Sequence, residues 1–148
     1  MSDWRRIWEA HDTARRAPRS PHEIYDQSAF RHFLALERRR AERRGRSLVL
    51  LLVEIAPLPQ GHRAARTIES MIFGVLEQCV RESDFVGWYT TARIAGAVLV
   101  QGGTPPSQDV CHAIGKRVTT MLKVRLPANF ATGVRVLTLA AKREEEHG

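Results

Sequence analysis

"RESDFVGWYTTARIAGAVLV", residues 81–100, is the stretch that decides the fold. Two short runs, near Asp84–Tyr89 and Ile94–Val100, carry the aromatic and β-branched residues that suit a pleated surface. Only a few residues separate them, so the pair predicts a β-hairpin. Its tip, "YTTAR", holds no acid, no Gly pair and no Asn, although hairpins of this kind often carry chemistry at the turn. Arg81 and Asp84 stand just ahead of the first strand.

Working outward, residues 64 to 82 show a helical stripe of Ile68, Met71, Ile72, Val75, Leu76, Cys79 and Val80. Before it, "SLVLLLVEI" (Ser47–Ile55) is a continuous apolar run, the pattern of a central strand buried on both faces. The two prolines of "APLPQGH" make the link between them a loop. After the hairpin, "QGGTPPS" is a second loop, and Ser107 or Gln108 opens a helix that packs through Val110, Cys111, Ile114, Val118, Met121 and Leu122. "GVRVLTLA" (Gly133–Ala140) is the last strand. Upstream, a helix spans Gln27 to Arg44. Phe30, Phe33, Leu34 and Ala41 form its inner stripe, and Gly45 is placed to end it. Arg31, Arg38, Arg39, Arg40, Arg43 and Arg44 crowd its other face and C-terminal end.

Residues 3 to 16 predict one more short amphipathic helix, with Trp4, Ile7, Trp8 and His11 at helical spacing and Ser2 as its cap. Pro18 and Pro21 then mark a linker. The expected division is an N-terminal helix and linker over 1–23, a folded domain over 24–140, and a frayed charged tail over 141–148. Apart from its first helix the domain is a βαββαβ unit. The fold class is therefore α/β, a mixed and mostly antiparallel sheet of about five strands with helices on both faces.

At 148 residues the chain has the length of one domain. Its net charge is +7, and the first 46 residues hold 12 Arg against 7 Asp and Glu. Such an excess attracts anions, whether nucleotides, headgroups, nucleic acid or an acidic partner. The longest apolar run, Leu48–Val53, is far shorter than the roughly 20 residues a membrane helix needs. The N-terminus carries acids and tryptophans where a signal peptide would be apolar. A cytoplasmic protein is expected. Cys79 and Cys111, far apart at apolar positions, read as buried free thiols.

From about Ile24 to Leu139 the sequence resembles the GGDEF domain of diguanylate cyclases, which join two GTP molecules into cyclic di-GMP. The resemblance rests on "YDQSAFRHFLALERRRAERRG", on "LLLVEI" ending in Glu54, and on "GHRAAR" (Gly61–Arg66) for a GHxxGD element. It also rests on "RESD" for an RxxD pair, which is followed after five residues by "TTARI" in place of GGDEF. It implies the GGDEF, nucleotide-cyclase-like arrangement of the βαββαβ core.

The departures fall on the catalytic positions. Thr90 and Thr91 stand where glycines let backbone approach the phosphates. Ala92 replaces an acidic metal ligand, with Arg93 and Ile94 completing the altered signature. Arg66 replaces an Asp that reads guanine, and a guanidinium cannot accept guanine N–H groups. The loop "APLPQ" lacks the family's base-pocket Asn. Cyclisation needs two divalent metals held by carboxylates, and Glu54 alone is a weak candidate ligand. Diguanylate cyclase activity is expected to be lost, with no catalytic residue and no bound metal or cofactor.

What the resemblance leaves is RxxD, the family's inhibitory site for cyclic di-GMP. Arg81 can pair with guanine O6 and N7 or with a phosphate, and Asp84 can accept from guanine N1 and N2. With both at a helix end on one exposed edge, the chain would be a receptor or adaptor in bacterial cyclic di-GMP signalling. The plain alternative is a helix-end arginine and an aspartate that starts a strand. A competing function is a protein-interaction or dimerisation scaffold, using Trp4, Ile7 and Trp8. The arginine-rich helix reads as a solvated face or as a set of phosphate contacts. No DNA- or RNA-binding motif accompanies it, so nucleic acid is not an expected partner. His112 beside Cys111 makes no dyad, because adjacent helical residues point about 100° apart.

Overall fold

Strand β2 (Leu48–Ile55) is buried at every position except Glu54, as its unbroken apolar run requires. A computed structural model of the chain describes residues 23–81, 83–100 and 106–139. Within these, β2 pairs antiparallel with β4 (Ile94–Val100) on one side and with β5 (Thr132–Leu139) on the other. The hairpin partner of β4 is β3 (Phe85–Thr90), and β1 (Ile24–Tyr25) adds to β3 in parallel. The five strands lie in the order β1-β3-β4-β2-β5. The expected α/β class and mixed, mostly antiparallel sheet are what the chain adopts.

Among the described residues, three helices cover the sheet. Helix α1 (Gln27–Arg44) starts at Asp26, whose side chain accepts from the Ala29 N–H at 2.8 Å, and stops at Gly45 with φ of 65°. Helix α3 (Gln108–Arg125) is capped by Ser107. Helix α2 (His62–Glu77) ends five residues before the expected boundary. There the N–H groups of Gln78, Cys79 and Val80 bond to carbonyls three residues back, so the chain tightens out of the α-helix. The apolar stripe runs on regardless, and Cys79 and Val80 are both buried.

The period-two alternation of β2 divides the interior in two. Val49, Leu51, Val53 and Ile55 face α2 and α3, in a core with Ile72, Phe73, Leu76, Ile114, Val118 and Leu122. Leu48, Leu50 and Leu52 face α1, in a smaller core with Phe30, Ala41 and Val98. Phe30 is fully buried. Its ring lies over Gly96 and Gly87, which are partners across β3 and β4. A β-carbon on Gly96 would stand 2.8 Å from the Phe30 ring, and one on Gly87 would stand 2.5 Å from the Tyr25 carbonyl oxygen. The two glycines are thus a slot in the sheet that admits the ring and lets β1 come alongside β3. Phe85 and Tyr89 meet Phe30 edge-on, at 5.5 and 6.4 Å between centroids.

Two smaller expectations need correction. Cys79 is buried, but Cys111 is only half-buried, because it faces the open edge strand β5, with its Sγ 3.5 Å from Thr138 Oγ1. Both thiols are free. The segment expected to form a helix with Trp4, Ile7 and Trp8, most of the expected linker and the expected charged tail lie outside the described residues. Among the described residues, no helix is long and apolar enough to cross a membrane.

Gly96→Ala should lower stability by about 1–3 kcal/mol, since the overpacked ring has no free volume to move into. In urea unfolding, Phe30→Leu should cost less in the Gly96→Ala background than alone. Additive losses would show that the ring does not depend on the slot.

Candidate functional site

The hairpin tip is built from a turn in which Arg93 N–H donates to the Thr90 carbonyl at 3.0 Å. Ala92 takes a left-handed φ of 61°, a conformation that suits glycine and strains a β-carbon. Thr90 closes β3, and its pairing with Ile94 follows an irregularity in the ladder after Trp88.

Two residues of α1 hold this tip. Gln27 Oε1 accepts from the Thr91 N–H at 2.8 Å and lies 3.0 Å from the Thr91 hydroxyl. One turn later, Arg31 donates from Nε to the Tyr89 carbonyl at 2.7 Å and from Nη2 to Thr90 Oγ1 at 3.0 Å. Its guanidinium also sits 4.4 Å above the Tyr89 ring. The Tyr89 carbonyl, the Thr91 N–H and both threonine hydroxyls at the turn are engaged by the chain's own helix. Gln27 and Arg31 are a helical turn apart, and their partners lie some sixty residues on. Nothing in the local sequence signals that contact.

Glu54 is the exposed penultimate residue of β2, on the α1 side of the sheet, level with Ile94 on β4 and Gly133 on β5. Neither register partner is a carboxylate. Among the described residues no group of three His, Cys, Asp or Glu is placed to hold a metal ion. A two-metal centre needs acidic ligands from more than this one strand, and the described residues around Glu54 do not supply them. Arg66 lies exposed near the start of α2, with Nη1 3.3 Å from His62 Nε2.

Arg81 and Asp84 do come together, though not on a helix end and not both on an exposed edge. They fall in the turn between α2 and β3. The Asp84 carboxylate has no exposed surface. Its Oδ2 accepts from the Arg81 N–H at 2.8 Å, and its Oδ1 accepts from the Val100 N–H at 3.0 Å. The carboxylate thus ties the turn to the last residue of β4. Arg81 keeps 43% of its side chain exposed, with Nε 3.6 Å from Asp84 Oδ2, and its Nη2 donates to the Val100 carbonyl.

Val100 also walls a small cavity of about 90 Å³ lined by Glu37, Arg40, Arg44 and Arg46. Arg40 is paired with Glu37 at 2.9 Å. Four guanidinium-bearing residues from two distant segments therefore gather at one end of β4. The sequence placed Arg40 and Arg44 on a charged helix end, but their nearness to Arg81, and the part of Arg46, come only from the sheet topology.

Ala92→Gly should raise stability by about 1 kcal/mol by relieving the left-handed β-carbon. Arg31→Ala should cost about 1–2 kcal/mol through the lost charged hydrogen bonds. It should also speed amide exchange at Thr91 relative to Val98. An unchanged exchange ratio would mean that α1 does not hold the tip.

No protein-family model matches the sequence, and no curated protein matches it. Solved structures do. A DGC protein from Thermotoga maritima superposes with a TM-score of 0.63 at 15% identity, over 79% of this chain and 82% of its own. The GGDEF domain of DgcB from Caulobacter crescentus, solved in complex with c-di-GMP, gives 0.61 at 13% identity, over 82% and 81%. The diguanylate cyclase SiaD from Pseudomonas aeruginosa, solved with its activator SiaC, gives 0.58 at 16% identity, over 99% of this chain and 60% of its own. At these identities the likeness is one of architecture: the chain has the fold of a GGDEF domain.

Proposed function

We propose that this chain is a non-cyclising domain of GGDEF fold that serves cyclic di-GMP signalling as a receptor or adaptor. The hairpin supports the loss of cyclisation. Thr90, Thr91, Ala92 and Arg93 offer no carboxylate and no glycine pair, Glu54 has no acidic partner in register, and Gln27 and Arg31 engage the tip. The observation that carries the receptor reading is the gathering of Arg40, Arg44, Arg46 and Arg81 around Val100. Cyclic di-GMP bears two phosphates and two guanines. Guanidiniums suit both, as bidentate partners of phosphate oxygens or of guanine O6 and N7. Proteins of this fold have been solved with the dinucleotide.

In this reading Arg81 is the principal contact and Asp84 sets its position. For Asp84 to reach guanine N–H groups, its bonds to Arg81 N–H and Val100 N–H must open. That coupling would give the ligand a way to act, because the state in which the clamp has opened would be favoured by binding. The same burial of Asp84 is what favours the second reading, a nucleotide-independent interaction or dimerisation scaffold.

Incubation with GTP and Mg²⁺ should yield no cyclic di-GMP, and its detection by chromatography would overturn the loss of catalysis. Calorimetric titration of cyclic di-GMP should give micromolar binding, weakened about tenfold or more in Arg81→Ala and in Arg46→Ala. Absence of heat with the unaltered protein would end the receptor reading. The scaffold reading then predicts an oligomeric state sensitive to Trp4→Ala or Trp8→Ala and indifferent to Arg81→Ala.

A further inference from the structure

Away from the Arg81 end, α2 and α3 share a groove of about 660 Å³. Arg63 and Arg66, one turn apart on α2, line it together with Arg125 from the last turn of α3. The Arg125 guanidinium lies against Gly74, 3.7 Å from where a β-carbon there would stand, so it reaches across from one helix to the other. Ser70 adds a hydroxyl, and His62 contributes a ring nitrogen beside Arg66. The Thr67 hydroxyl is turned inward, donating to the Arg63 carbonyl at 3.0 Å.

Among the described residues, no acidic residue lines this groove. Glu69 lies on α2 but is not part of the lining. On α1, by contrast, Arg40 has Glu37 at 2.9 Å. Three guanidinium-bearing residues line one concavity with no carboxylate among its described lining, so their like charges repel and a bound anion relieves that repulsion. Guanidiniums are planar forks that match phosphoryl oxygens. Along α2 the polar lining runs from His62 to Ser70, about 12 Å at the helical rise. That span exceeds what one phosphoryl group can bridge.

We infer that this groove is a binding site for a ligand carrying two or more adjacent phosphoryl groups, of the pyrophosphate type. The lining offers no carboxylate to accept guanine N–H groups, so the phosphoryl chain is what it recognises. At Arg66 the resemblance expects a guanine-reading acid, and the charge there is reversed. An acceptor site for a base has become a donor site for an anion. The site is separate from the Arg81 end and stands or falls independently of cyclic dinucleotide binding there.

The test is a titration of inorganic pyrophosphate into the full chain, followed by calorimetry and by thermal unfolding, with sodium chloride at matched ionic strength as the control. Pyrophosphate should raise the unfolding temperature where chloride does not. Arg66→Gln and Arg125→Gln should each weaken binding about tenfold or more, while Arg39→Gln on α1 should leave it unchanged. Without ligand, at low salt, Arg66→Gln should unfold at a temperature no lower than the unaltered protein, because a repulsive charge is gone. A nucleoside diphosphate binding more tightly than pyrophosphate would identify a nucleotide as the source of the phosphoryl chain. Equal affinities would mean the chain alone is recognised. Equal weakening by Arg39→Gln and Arg66→Gln, or a shift no larger than that of chloride, would overturn the site.

Discussion

The ring of Phe30 against two glycines is the contact on which the α1 side of the molecule depends. A sheet face carrying side chains at both Gly87 and Gly96 would hold α1 farther away and exclude β1 from its place beside β3. The close approach brings Gln27 and Arg31 within reach of Thr91, Thr90 and Tyr89. It also lets Ala41, farther along α1, bury against the same core as Leu48 and Leu50. The C-terminal arginines of the helix then fall beside Val100. Packing at one point on the helix axis thus sets the positions of polar groups at both its ends.

The other organising contact is the Asp84 carboxylate, which joins the turn after α2 to the end of β4. Both its oxygens accept backbone N–H bonds in a place without solvent. Buried carboxylates are tolerated only when so satisfied. A motif that resembles a ligand site is therefore also a structural clamp. The two roles are compatible only if ligand binding and the opening of the clamp are linked. Arg81 differs from its partner, because it lies partly in solvent and its guanidinium already faces the end of β4.

Much of this architecture is legible in the sequence, and the illegible parts share a physical cause. The buried β2, the hairpin and the caps at Gly45 and Ser107 are local signals, set by periodicity and by residues that favour particular backbone angles. The two-residue β1 leaves no periodic trace, and it exists because Gly87 has no side chain. The apolar stripe through Val80 suggested a longer helix, since a stripe records burial and not the hydrogen bonding that ends α2 at Glu77. Arg81 and Asp84 were readable as a pair, but the burial of one and exposure of the other depend on where β4 ends. The α1 latch and the convergence around Val100 join residues far apart in sequence. They become visible only when the sheet order is known.

The excess of arginine is divided by the same topology into surfaces of different character. On α1, Arg31 is bonded to the hairpin and Arg40 to Glu37, so part of the charge works within the molecule. Arg44 and Arg46 beside Val100, and the arginines between α2 and α3, line concavities instead. Net charge alone attracts anions from any direction and is screened within roughly 8–10 Å at ordinary salt. A concave cluster of planar donors adds geometry to that attraction, and geometry is what separates specific binding from a diffuse basic surface. With the hairpin's signature residues replaced, these two basic concavities are the surfaces proposed to recognise phosphate.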